Sequence, residues 1–303
     1  MTLPAAGSHG GDAPAVAAAL GLSPGSVLDL SLSLNPVAPD PVPVVAAHLD
    51  AVRVYPDAAT ATSVLAGVMG VEAERLLLTN GGAEAIMLVA AEIAGHVEEP
   101  DFGLHPRTGG PLWRSNPHSP SGLLAQPDQR ADVWDEAFYP LATGRWTRGD
   151  GDIVVGSLTK LLACPGLRLG YVLGDPDLIA RCRARQPEWS VGAVAVAALP
   201  DLLGLVDLAA WCADIAELRV ALTALLSSHG LPVRRSDANW VLVDHGGLRE
   251  SLAPYGVIVR DCASFGLTGV TRIAVPPAEG LERLAKALTE AEVFQSVCAE
   301  PVT

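Results

Sequence analysis

The chain has 303 residues, 50% of them apolar, with 30 glycines, 24 prolines and a formal net charge of −14. That length buries a large core, read here as one sizeable domain and a smaller one, and the composition is that of a soluble α/β protein with many turns. The acidic balance argues against general nucleic-acid binding or adsorption to an acidic membrane; an anionic substrate then needs a locally basic pocket, which makes the few arginines informative.

Five cysteines (Cys164, Cys182, Cys212, Cys262, Cys298) lie scattered with no C-x-x-C pattern, which reads as free thiols in a reducing compartment and not as a zinc or thioredoxin-like motif. No basic-then-apolar leader opens the chain, so a cytoplasmic protein is expected. The most apolar stretch, residues 191–220, is cut by Pro200, Asp201 and Asp207 and reads as two soluble helices, not a membrane span.

In chain order, Asp12 is placed to cap a helix that stops near Gly21. A proline-rich turn over residues 36–43 leads to a helix over 41–52. A second helix covers 57–69 with Gly70 as its stop. Residues 76–79 read as a short buried strand. The turn Asn80-Gly81-Gly82-Ala83-Glu84 follows, then an apolar helix over 85–94. This strand, glycine turn and helix place bare N–H groups at a helix start, a seat for an anion.

Residues 95–133 are turn-like, with short strands expected at 112–114 and 132–134. Firmer strands follow at 153–155 and 169–173, then helices at about 175–185, 189–199 and 205–228. The last third alternates: strands at 231–235 and 239–243, a helix near 246–254, strands at 257–260 and 271–275, and a helix over 277–291, a compact α+β unit. The expected division is an amino-terminal arm (1–45), a large domain (46–215) and a small carboxy-terminal domain (216–303).

The chemistry concentrates around Lys160, in Ser157-Leu158-Thr159-Lys160 just after an apolar run. Arg168 follows in Pro165-Gly166-Leu167-Arg168-Leu169-Gly170, and Asp135 ends an earlier apolar segment. A lysine, two hydroxyls, an arginine and a carboxylate at strand ends suit pyridoxal phosphate: the lysine condenses with the aldehyde, the hydroxyls and arginine hold the phosphate, and the carboxylate keeps the pyridine nitrogen protonated. Lys160 otherwise reads as a surface lysine. The S-x-x-K motif of serine-nucleophile enzymes is not supported, because S-D-N and K-T-G partners are missing.

Taken together and in this order, the segments resemble fold-type-I pyridoxal-phosphate enzymes, in the branch of histidinol-phosphate aminotransferases and threonine-phosphate decarboxylases. The resemblance covers residues 9–288. It implies an α/β three-layer sandwich with a mixed, mostly parallel central sheet, plus a smaller α+β carboxy-terminal domain. It implies Lys160 as the catalytic lysine and Asp135 as the partner of the pyridinium nitrogen. Ser157, Arg168 and the Gly82 and Ala83 amides become phosphate ligands, and Phe102 the ring stacker. Tyr55, in Tyr55-Pro56-Asp57, becomes a contact to the cofactor of a neighbouring subunit, which implies a homodimer with shared sites. Arg272 resembles the clamp on the substrate carboxylate.

His9-Gly10-Gly11-Asp12, Gln186-Pro187-Glu188-Trp189-Ser190-Val191 and the segment from Arg260 to Leu267 resemble the decarboxylases. His9 and Arg260 are then contacts to a substrate phosphate, with Asn35 at the pocket rim. Taken singly, His9 reads as a terminal residue, Arg260 as half of an ion pair and Asn35 as a turn former. The implied function is decarboxylation of threonine phosphate in cobalamin biosynthesis. The alternatives are an aminotransferase of the histidinol-phosphate type and a degenerate cofactor-binding scaffold.

The pattern has departures. In Asn116-Pro117-His118-Ser119-Pro120-Ser121-Gly122 the position that normally gives an asparagine to the cofactor's ring oxygen is Ser119, and Phe138 stands where a tyrosine is common. Each lost hydrogen bond to a charged acceptor costs about 1.5–3 kcal/mol. The connections after His105 and after Gly122 are too short for the usual helices, so the large domain is expected to be shortened.

Overall fold

Short strands rich in leucine, valine and isoleucine carry the architecture. In chain order they are β1 (Leu28–Asp29), β2 (Leu76–Asn80), β3 (His96–Val97), β4 (Leu112–Ser115), β5 (Val133–Asp135), β6 (Ile153–Ser157), β7 (Leu169–Leu173), β8 (Trp240–Val243), β9 (Val257–Ile258), β10 (Arg260–Asp261) and β11 (Thr271–Ala274). The structure, a computed structural model, describes residues 3–7, 9–98, 100–148 and 153–292, so Cys298 lies outside the described residues. The chain forms two compact units: residues 34–215 with 237–239, and residues 1–33 with 216–236 and 240–303.

The first unit is built on a sheet of order β2-β7-β6-β5-β4-β3. Strands β3 to β6 are parallel neighbours, and β7 runs antiparallel to both β6 and β2. This is the mixed, mostly parallel sheet expected. Successive side chains on a strand point to opposite faces. Leu77, Val133, Val155 and Val172 therefore pack with the helices Gly81–Ile93 and Pro176–Arg185. Their neighbours Leu78, Trp134, Val154 and Tyr171 pack with the helices Ala59–Met69 and Ala193–Leu203 on the other face. The result is three layers.

The crossovers β3 to β4 and β4 to β5 contain no helix among the described residues. The second is instead a pinned loop. His118 N donates to Leu123 O at 2.8 Å, Ala125 N to Asn116 Oδ1 at 3.0 Å, and Leu124 N to Asp237 Oδ2 at 3.0 Å. Residues 237–239 thus belong with this unit although their flanks do not. A cavity of about 320 Å³, lined by Arg114, His118, Leu123, Gln126, Gln129 and Trp134 among others, opens beside the loop.

In the second unit β1 pairs with β9, and β10-β11-β8 form an antiparallel sheet. The amphipathic helix Ala278–Glu290 buries Leu284, Ala287 and Leu288 against Val241, Ile273 and Leu226. The described cysteines form no disulfide. Burial holds the Cys164 and Cys182 thiols up at about 11, too high for reactive thiolates. No single described helix is long and apolar enough to cross a membrane; the helices Ala193–Leu203 and Leu208–Ser228 meet at 88°.

Several local expectations change. The helix Ala13–Leu20 does stop at Gly21, but Asp12 makes no side-chain cap; its carboxylate turns to the buried Arg249 guanidinium. The helix expected over 41–52 breaks after Val42–Ala47 into a tighter 3₁₀ turn, Leu49–Arg53. Residues 231–235 form no strand, only a single bridge from Val233 to Val243. The strand expected over 257–260 divides into β9 and β10, which join different sheets.

Gly156 of β6 lies opposite Tyr171 of β7, and a Cβ there would sit 2.2 Å from the buried Tyr171 ring. Gly156→Ala is expected to cost about 1–3 kcal/mol by overpacking. A chemical denaturation series should show a lower midpoint with an unchanged slope.

Candidate active site

Two adjacent parallel strands carry the candidate pair Asp135 and Lys160. Asp135 is the last residue of β5, next to Val155 of β6. Lys160 follows β6 in the helical turn Leu158–Leu161. Its Nζ lies 5.9 Å from the centre of the Phe138 ring, and Phe138 follows Asp135 by three residues. The turn is braced from below by the buried Asn35: its N–H donates to Lys160 O and its Nδ2 to Leu161 O, both at 3.0 Å.

Beside them is an anion cradle. The helix Gly81–Ile93 begins at the glycine turn itself, four residues earlier than its apolar periodicity alone marks. Its start is held by Glu84, whose carboxylate accepts from Asn80 N at 2.6 Å, Gln186 Nε2 at 3.0 Å and Ser190 Oγ at 3.2 Å. Gly81 has φ +75°, and a Cβ on it would come 2.4 Å from Arg168 Nη2. A Cβ on Gly82 would touch Ser157 Cβ at 3.4 Å. Arg168 itself takes left-handed backbone, φ 56°, at a cost of about 1–2 kcal/mol. Helix N–H groups, the Ser157 hydroxyl and an exposed guanidinium therefore converge where side chains are absent. Thr159 does not join them: its buried hydroxyl donates to Leu169 O at 3.2 Å.

Sequence reasoning missed His105. Its side chain is fully buried, with Nε2 2.9 Å from Asp135 Oδ2 and Nδ1 3.7 Å from Asp101 Oδ1. The only signal was a histidine four residues after an aspartate in a glycine-proline turn. Phe102 packs against the apolar cluster of Ile93 and Val97 and meets the His105 ring edge-on at 5.6 Å. Asp135 Oδ1 also accepts from Ala137 N at 3.0 Å. Burial, then the carboxylates of Glu136 and Asp135, raise the Tyr171 phenol far above its ordinary value, so it stays neutral.

Other candidates are placed as follows. Ser119 is buried and donates its N–H to Ser115 Oγ at 3.2 Å. Ala83 and Tyr55 are exposed, and Tyr55 stacks on Trp189 with centroids 4.3 Å apart. In the second unit Arg260 and Arg272 are register partners on β10 and β11, both buried. Arg260 lies 4.3 Å over Phe265, and Arg272 5.2 Å over Trp240. Burial, then Arg260, pushes Arg272 below the ordinary arginine value, and burial does the same to Arg260. Two like charges held side by side out of water are stabilised by an anion. The exposed His9 belongs to this unit, and its carbonyl accepts from Arg260 Nη1 at 3.4 Å.

The family model for Aminotransferase class I and II matches residues 109–288. A histidinol-phosphate aminotransferase of Mycobacterium tuberculosis is 33% identical over 60% of this chain, which spans 57% of that protein. The threonine-phosphate decarboxylase of Salmonella typhimurium is 30% identical over 93% of this chain and 95% of its own length. The solved histidinol-phosphate aminotransferase of Sinorhizobium meliloti, in complex with pyridoxal-5'-phosphate, superposes with a TM-score of 0.76 at 16% identity, covering 92% of this chain and 94% of that one.

Inorganic phosphate should raise the melting temperature by relieving the repulsion between Arg260 and Arg272. Arg272→Gln should reduce that rise, removing on the order of 1.5–3 kcal/mol of anion-binding energy. Calorimetric melts of both proteins across a phosphate series measure it.

Proposed function

The chain belongs to the Aminotransferase class I and II family, and from that premise we propose that it is a pyridoxal-phosphate enzyme that decarboxylates a phosphorylated amino acid, threonine phosphate first among candidates. The observation that carries the cofactor is the cradle at Gly81 and Gly82. A Cβ would fill it, and a phosphate monoester suits it: amides of Gly82 and Ala83, the Ser157 hydroxyl and the Arg168 guanidinium are all donors. Lys160 supplies the amine for an aldehyde, and Asp135 an acceptor for a protonated ring nitrogen. When bound, the cofactor supplies an electron-withdrawing ring that eases the breaking of a bond at the substrate's Cα.

The chain's own residues do the rest. Asp135, fixed with one oxygen on Ala137 N–H and the other on His105, would be the acceptor for a protonated ring nitrogen. Lys160 is the group that delivers or removes a proton at Cα. Ser119 and Phe138 leave the cofactor's ring oxygen fewer donors than the family pattern carries. Arg260 and Arg272 carry the positive charge that a substrate with both a carboxylate and a phosphate requires, and His9 joins them in this reading. Over nearly the whole chain the identity to a threonine-phosphate decarboxylase is 30%, against 27% and 25% for histidinol-phosphate aminotransferases that match as widely, and this margin supports decarboxylation.

We assign the exposed apolar patch of Val42, Leu49, Val52, Val54, Tyr55 and Trp189 to a second copy of the chain. These residues are 55–75% exposed, and the Tyr55 and Trp189 rings stack on one another. Tyr55, one of them, is the residue read from the sequence as reaching a neighbouring subunit's cofactor.

Purified protein should absorb near ~420 nm. Borohydride fixation should then label Lys160 and spare Lys286, the one other lysine; label on neither would end the cofactor reading. Lys160→Ala should lose the band. Carbon dioxide release from threonine phosphate is the expected activity, and amine exchange dependent on a keto acid would move the reaction to an aminotransferase. Val54→Asp should turn a dimer into a monomer by light scattering; an unchanged mass would remove the dimer assignment.

A further inference from the structure

His105 stands between two carboxylates, and only one of them, Asp135, has a place in the reading above. The ring is out of contact with water. Uncharged walls flank it: Phe102 edge-on at 5.6 Å and Trp113 at 5.7 Å. Nε2 faces Asp135 Oδ2 at 2.9 Å, and Nδ1 faces Asp101 Oδ1 at 3.7 Å with no hydrogen-bond partner of its own.

Asp101 is firmly held. Phe102 N donates to its Oδ1 at 2.6 Å, Ser115 N to its Oδ2 at 3.3 Å, and the Ser115 hydroxyl to Oδ1. Three donors on one carboxylate match its anionic form. A ring with a single proton would aim a lone pair at one carboxylate or the other, acceptor against acceptor, where no water can intervene. A ring with two protons donates to Asp135 at 2.9 Å and sets its positive charge within ion-pair range of Asp101 at 3.7 Å.

We propose that Asp101 is a positioning residue for Asp135, acting through His105, which it holds with a proton on each nitrogen. The inference rests on the reading that pyridoxal phosphate binds beside Asp135. Two carboxylates and one doubly protonated ring leave one net negative charge in the buried cluster. A protonated ring nitrogen arriving at Asp135 cancels it. Without Asp101 the ring carries a single proton, so the nitrogen that faces Asp135 is no longer bound to be a donor, and the carboxylate loses a fixed partner on Oδ2. Asp101 thereby fixes the donor that Asp135 receives, from two residues away in space.

Nitrogen-15 spectra of histidine-labelled, cofactor-free protein at neutral pH test this, with His105→Gln identifying the signals. The expected result is a proton on both nitrogens of His105 in the wild type and one bare nitrogen in Asp101→Asn. Asp101→Asn should also bind pyridoxal phosphate roughly tenfold more weakly by equilibrium dialysis, while Ser115→Ala, which keeps the charge, should retain both protons. A bare ring nitrogen in the wild type overturns the proposal, as does an Asp101→Asn spectrum identical to the wild type. Should Asp101→Asn not fold, the wild-type spectrum decides by itself. Because the spectra need no cofactor, failure of Lys160 to take the borohydride label would sink the cofactor reading separately from the state of His105.

Discussion

The site depends on how closely one helix start approaches two strands. A Cβ on Gly170 of β7 would lie 2.4 Å from Gly81 C and 2.6 Å from Gly82 N, so the helix Gly81–Ile93 can sit against the sheet only because β7 carries a glycine there. That approach brings the first N–H groups of the helix level with Ser157 at the end of β6, and lets the Arg168 guanidinium cross over Gly81. One added methyl group on Gly170 would push the helix start away from the strand ends.

The sheet around this contact tolerates simplification. Parallel strands β3, β4 and β5 are joined by loops where a helix is the usual crossover. The loop after β4 compensates in part: His118 N–H donates to the Leu123 carbonyl, and the N–H groups of Ala125 and Leu124 donate to the Asn116 and Asp237 side chains, without helical turns. Its course leaves Trp134 of β5 beside a cleft and covered in part by Arg148, whose guanidinium lies 4.6 Å from the ring. The strand ends that carry Asp135 and Lys160 keep their parallel register regardless, because register is set by ladder pairing and buried apolar faces, not by the outer layer.

Much of this was legible residue by residue. The alternation in Val133-Trp134-Asp135 and Ile153-Val154-Val155 marks strands, and glycines mark the stops at Gly21 and Gly70, where both take left-handed backbone. Lys160, Arg168 and the double glycine could be singled out as candidates because an amine, a guanidinium and bare N–H groups are unusual residue chemistry at strand ends. The errors have a common cause. Asp12 has the right identity and place for a cap, yet a buried arginine distant in sequence offers its carboxylate a stronger partner. Residues 231–235 carry strand propensity but find a single bridge, since a strand exists only where a neighbour offers its backbone.

What the order of residues determined by itself was therefore local: apolar periodicity, glycine turns, and the chemistry of one amine, one arginine and one carboxylate. The tertiary structure decided which groups meet. Nothing in the spacing of Asp101, His105 and Asp135 states that they form one buried cluster, or that Asn35 braces the Lys160 turn across 126 residues to Leu161. Those contacts come from strand pairing and core burial, which bring distant segments together. The energy of a buried charge or amide is set by whatever happens to stand within hydrogen-bond reach of it, not by its neighbours in the chain.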